Sequence, residues 1–245
     1  MLNALLVALI VLFLSACGGS GNSETTSGDI KAYLIPLYSY PVGSYQSEWE
    51  RLYQLSTSKR VFVIVNVSNG PGKEKDLNFE NAINRLKSKG YKVVGYIKTS
   101  YGEKDINQVK SEIDSWLEFY GNKIDGFFLD EVSNTLDKYQ YYENISRYVR
   151  SKDKLIILNP GTNIPLEFFN LADKIVVFEN SKSVFFSFIY HDYRRIDPER
   201  VCTIVYDVSS KDEAERIKAK SLENNSHCVY LLQGNSYFVL SQYID

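Results

Sequence analysis

From Asp29 onward, strand-like and helix-like stretches alternate eight times, and that alternation restricts the possible folds more than any other feature of the chain. The strand-like stretches are 31–40, 60–67, 91–99, 124–130, 154–159, 174–179, 201–207 and 227–233. Helical spacing, or a short helix, is expected over 48–57, 78–89, 105–120, 136–150, 166–171, 183–189, 211–223 and 237–243. Stretches such as RVFVIVNV and KIVVFE are apolar nearly throughout, as strands must be when helices cover both faces of a parallel sheet. Eight such units predict an α/β chain folded as a single (β/α)8 TIM barrel over residues 30–245, near the short end for that fold. The rival is a doubly wound open sheet. That fold usually places G-x-G-x-x-G after its first strand, and no such turn occurs here.

The run IDGFFLDE at 124–131 carries the functional reading. Burying an unpartnered carboxylate costs several kcal/mol, so adjacent acids after an apolar strand belong at an open rim, where parallel barrels keep their chemistry. Acids close three strands: Asp130 and Glu131 the fourth, Glu179 the sixth and Asp207 the seventh. Strands four and six are close neighbours in an eight-stranded barrel, so their acids are expected to face each other at roughly the 5–9 Å of glycosidase pairs. One protonated acid then supplies the leaving oxygen with its proton, while one ionised carboxylate attacks or stabilises the oxocarbenium-like centre. Each acid also has a plain structural reading. Asp130 would cap a turn, Glu131 would be solvated, Glu179 would pair with Lys174 or Lys182, and Asp207 would cap the helix at Lys211.

Other chemistries lack their residues. There is no G-x-S-x-G elbow and no Walker A lysine motif. The two histidines, His191 and His227, lie far apart and give no basis for a His-based zinc or iron site. No metal or cofactor is therefore expected. A formal net charge of −2 carries no basic field for nucleic acid.

The N-terminus reads as a targeting segment rather than part of the fold. The apolar run 4–14 is too short to span a bilayer and ends in LSAC. That tetrapeptide resembles the bacterial lipobox, which implies a signal peptide over 1–16, lipid on Cys17 and a cell-envelope, extracytoplasmic location. No Lys or Arg precedes the apolar run, a departure from the usual pattern. Residues 17–29 then form a Gly/Ser-rich tether with a reach of about 20 Å. Export implies an oxidising compartment. Cys202 and Cys228 fall near the starts of two strands, and because lateral pairs on neighbouring parallel strands rarely suit a disulfide, two buried thiols are expected, with a bridge as the alternative.

The segments VIVNVSNGPG, GYIKTSYG, VKSEIDSWLEFYGNKIDGFFLDEV, LNPGT and ADKIVVFEN occur in one order across nearly the whole barrel. In that order they resemble the spherulation-specific (spherulin-4-like) family, glycoside hydrolase family 135. The resemblance implies a (β/α)8 glycosidase that cuts α-1,4-linked galactosamine or N-acetylgalactosamine in biofilm exopolysaccharide. It also implies a carboxylate pair of Asp130 and Glu179, with Glu131 close by on substrate. The preferred roles are Asp130 as nucleophile or oxocarbenium stabiliser and Glu179 as general acid/base, an order that sequence leaves open. Two stretches depart from the family pattern, NVSN at 66–69 and EK at 103–104, and both bear on subsites along the sugar chain.

Further strand-end residues are expected to line the groove: Tyr38, Tyr40, Asn66, Lys98, Tyr101 and Asn159, with Tyr206 and Gln233 beyond them. Aromatic faces stack on sugar rings, and Asn or Gln side chains bond hydroxyl or acetamido groups. The expected partners are a polysaccharide substrate and a membrane reached through the lipid. Two other readings fit the same residues: a non-catalytic polysaccharide-binding lipoprotein, and a glycosidase of this architecture directed at another polymer.

Overall fold

The computed structural model describes residues 28–244. The expected signal peptide (1–16), the lipidation site Cys17 and nearly all of the tether lie outside the described residues. Eight parallel strands close into a barrel in chain order. They are β1 (Ala32–Pro36), β2 (Arg60–Val65), β3 (Lys92–Lys98), β4 (Gly126–Asp130), β5 (Leu155–Leu158), β6 (Lys174–Ser181), β7 (Val201–Tyr206) and β8 (Cys228–Leu231). Ala32 and Tyr33 of β1 pair with Cys228 and Val229 of β8, which closes the sheet and rules out the open-sheet rival.

The helices outside are α1 (Gln46–Gln54), α2 (Leu77–Ser88), α3 (Ile106–Tyr120), α4 (Tyr139–Arg150), α5 (Lys182–Ser187) and α6 (Lys211–Glu223). Three of them start on side-chain caps. Asp76 accepts from the N–H groups of Asn78 and Phe79, Asp105 from Asn107 and Gln108, and Ser210 from Glu213. Each cap contributes about 1 kcal/mol. Ser210, not Asp207, thus caps α6. Val109, Ile113, Trp116 and Tyr120 form the buried face of α3. Trp116 packs so closely on β3 that a Cβ at Gly95 would lie 2.8 Å from the indole. Only glycine allows that approach, and the indole N–H donates to the Tyr96 carbonyl at 3.1 Å.

The short helix expected over 166–171 is present as a 3-10 helix, Leu166–Asn170. Two expectations are corrected. Residues 237–243 form no helix, because their polar backbone groups are bonded to the barrel. Leu240 N–H donates to the Glu48 carboxylate, Ser241 N–H to the Tyr230 hydroxyl, and the Tyr237 carbonyl accepts from Tyr38 N–H. Finally, Cys202 and Cys228 are bridged by a disulfide, not free. They stand directly opposite each other on β7 and β8. The strands approach until the Cα atoms are 4.4 Å apart, at the near limit for a bridge.

One irregularity positions the site. The β6–β7 register slips by a residue between Val176 and Phe178. Side chains alternate along a strand, so one extra residue exchanges the two faces. Phe178 consequently packs outward on Phe185 of α5, ring centroids 5.2 Å apart, and Glu179 turns into the barrel mouth.

Candidate active site

Asp130 ends β4. Its Oδ2 accepts from the Tyr96 hydroxyl at 2.7 Å and its Oδ1 from the Asn159 amide at 2.8 Å. The same Asn159 nitrogen donates to Glu179 Oε2 at 2.5 Å. The second oxygen of Glu179 accepts from the Tyr237 hydroxyl. Asn159 is fixed in turn, its N–H bonded to the Leu129 carbonyl and its own carbonyl to Val132 N–H. Its side-chain oxygen is buried and has no partner among the described residues.

The two acids titrate above the ordinary carboxylate range. Burial is the main cause for Asp130, opposed by hydrogen bonds from Tyr96, the Glu131 N–H and Asn159. Burial also leads for Glu179, reinforced by the Asp130 charge and opposed by the Tyr237 and Asn159 bonds. Neither acid follows its plain structural reading. Lys182 pairs with Glu213 at 2.8 Å, and Lys174 donates to the Glu199 carbonyl.

Tyr38, Tyr96 and Tyr237 wall the acids. The Tyr38 ring lies 5.5 Å from each of the other two, centroid to centroid. Burial first, then the nearby carboxylates, raises all three phenols, so their hydroxyls stay protonated, and those of Tyr96 and Tyr237 donate to Asp130 and Glu179.

The remaining expected residues divide. Glu131 has a left-handed backbone (φ 51°), strained for a non-glycine residue, and pairs at the rim with Lys98 at 2.8 Å. Tyr101, also left-handed, stands exposed beside them with its N–H on the Glu131 carbonyl. Tyr206 donates to Asn180, next in chain to Glu179. The others are engaged elsewhere. Asn66 accepts from Gly70 N–H within its own loop, Tyr40 bonds Asp76 and Asn78 at the start of α2, and Gln233 holds the C-terminal segment through Leu240 and Gln242. Asp207 is exposed, with a left-handed backbone whose N–H bonds the Gly234 carbonyl.

Tyr96 and Tyr237 were not among the expected site residues. Tyr96 was accessible from strand alternation, since it shares the inner face with Lys98 two residues on. Tyr237 gave no local signal: its role depends on where the chain passes after β8.

Comparison with known proteins agrees with the fold. The spherulation-specific family 4 profile matches residues 32–244. Spherulin-4 of Physarum polycephalum is 33% identical over 165 residues, covering 66% of this chain and 48% of that protein. This chain therefore spans about half the length of that relative. The crystal structure of Aspergillus clavatus Sph3 in complex with GalNAc superposes with a TM-score of 0.73 at 20% identity, over 88% of this chain and 95% of Sph3. At that identity the likeness is one of fold.

Proposed function

The chain belongs to the spherulation-specific family 4, and from that premise we propose that it is a glycoside hydrolase cutting α-1,4-linked galactosamine or N-acetylgalactosamine within an exopolysaccharide. The observation that carries this reading is the shared Asn159 nitrogen. With bonds of 2.8 and 2.5 Å to Asp130 and Glu179, it keeps their nearest oxygens within about 5 Å of each other, close enough for one sugar ring to meet both acids, as glycosidase pairs require. The GalNAc bound by Sph3 supports the sugar class.

The roles follow from the hydrogen bonds. Asp130 takes bonds from Tyr96, Asn159 and the Glu131 N–H, and donors of this kind favour the ionised form. Asp130 is the nucleophile. Glu179 has two such donors and the Asp130 charge beside it, so it retains its proton longer and acts as general acid, then as base towards water. In the first step Asp130 bonds to the anomeric carbon while the glycosidic bond breaks and its oxygen takes the Glu179 proton. Water then releases the sugar, giving its proton to Glu179, and retention of configuration results. The wall of Tyr38, Tyr96 and Tyr237 beside the acids orients the ring. Attachment to the cell envelope through Cys17 belongs to the same proposal.

The test is a polymer panel followed by product analysis. Fragments with new reducing ends from a galactosamine-containing polymer, and none from peptidoglycan or a glucan, are expected. Cleavage of a glucan or peptidoglycan instead would move the protein to another substrate. Binding without any cleavage would make it a carbohydrate-binding module.

A further inference from the structure

A cavity of about 1130 Å³ lies at the barrel end opposite Asp130 and Glu179, where the strands begin. Phe62 of β2, Leu155 of β5 and Lys174 of β6 are among the residues that line it. Lys174 is only 6% exposed. Its ammonium donates to the Glu199 carbonyl and lies 4.8 Å from the Phe62 ring. No carboxylate forms an ion pair with it among the described residues. Retaining a buried charge without a counter-ion is costly, and an anion from solution would relieve that cost.

Of the five acids on the cavity wall, Asp125 serves Lys87, Lys92 and the Val93 N–H, Asp173 takes the Ile156 N–H and Arg150, Glu199 pairs with Arg60, and Asp197 accepts from the Glu199 N–H. Asp153 forms no ion pair among the described residues, and the five acids are outnumbered by the lysines and arginines of the same wall. The cations are less well matched. Arg200 donates to the carbonyls of Phe169 and Ala172, and Lys89 and Lys154 have no ion pair among the described residues. This excess positive charge sits on a chain whose net charge is −2.

We propose that this cavity binds a phosphate group, with Lys174 at its floor and Lys89, Lys154 and Arg200 on its wall. Phosphate suits the arrangement because it accepts from several directions and carries more charge than a carboxylate. Burial, aided by the charges of Arg60 and Arg200 and opposed by Asp197 and Asp173, holds the Lys174 ammonium down to about 8. Affinity therefore falls as pH rises through that value. The phosphate comes from a soluble ester or from a lipid headgroup. The second source has a geometric rationale that rests on the proposed envelope attachment. Lys31 N–H bonds the His227 carbonyl at this end of the barrel, so the described chain begins on the side of the cavity, opposite the catalytic mouth.

The test titrates inorganic phosphate into the full-length protein by calorimetry at pH 7 and constant ionic strength, with chloride as control. Saturable binding is expected, at least tenfold weaker in Lys174→Met and in Lys154→Glu, with polysaccharide cleavage unchanged in Lys154→Glu. Should Lys174→Met not fold, the Lys89→Glu/Lys154→Glu double variant, altered at surface positions, carries the comparison. A parallel arm sediments the protein with phosphatidylglycerol or phosphatidylcholine vesicles. A preference for the anionic vesicles that disappears in the double variant identifies the headgroup as source, and saturable phosphate binding without that preference identifies a soluble ester. Heats for phosphate no larger than for chloride, together with vesicle binding indifferent to the double substitution, overturn the proposal.

Discussion

Asp130 and Glu179 sit on strands that are not neighbours, yet they accept hydrogen bonds from one nitrogen, Nδ2 of Asn159, at 2.8 and 2.5 Å. Asn159 follows β5, the strand between those carrying the acids. One amide therefore sets the spacing of the pair and favours the ionised form of each member.

Asn159→Ala should reduce kcat/KM roughly 10²-fold, because misplacing reacting groups by an ångström has that cost. Losing the donor also raises both carboxyl pKa values, so the acid limb of the pH–rate profile moves to higher pH. A pH–rate series on the variant checks both effects. An unshifted profile would reduce Asn159 to a packing role.

Tyr237→Phe removes one hydrogen bond from Glu179 and leaves the ring in place. A bond to a charged group is worth about 1.5–3 kcal/mol, which is about one pH unit or more. The bond favours the carboxylate, so without it the Glu179 pKa rises and the alkaline limb of the profile shifts up by about one unit. If Glu179 were the nucleophile, the acid limb would shift instead.

The raised Glu179 pKa also bears on stability. The folded protein holds this proton more tightly than the unfolded chain does. Its contribution is therefore full below the unfolded value of about 4.3 and is lost as pH rises through the folded value. Glu179→Gln should melt above the wild type at pH 7, with the gain closing toward pH 4. Melting curves across that range provide the check.

The Cys202–Cys228 bridge closes a loop of 26 residues in separation, for which chain entropy gives about 3.5 kcal/mol. Reduction, or replacement of both cysteines by alanine, should lower Tm by about 10 °C. Cleavage of substrate at 25 °C should be unchanged, since neither sulfur touches the acids.

Much of this was readable from the chain. IDGFFLDE forecasts β4 with its acid at the rim, because an apolar strand has nowhere inside to leave Asp130. The spans 78–89 and 105–120, read as helical from their spacing, hold α2 and α3. What stayed hidden depends on contacts distant in sequence. The extra residue between Val176 and Phe178 decides which face Glu179 occupies, and an unbroken apolar strand carries no mark of such a slip. Residues 237–243 have spacing a helix would tolerate, but Tyr38, Glu48 and Tyr230 take their backbone hydrogen bonds. The disulfide depends on how closely β7 and β8 approach, which composition does not encode.

The most direct measurement is the count of new reducing ends released from an α-1,4-galactosamine polymer by wild type, Asp130→Asn and Glu179→Gln. The account predicts release by the wild type and a loss of at least about 10³-fold in each variant, with folding intact by circular dichroism. Undiminished release by either variant would contradict it.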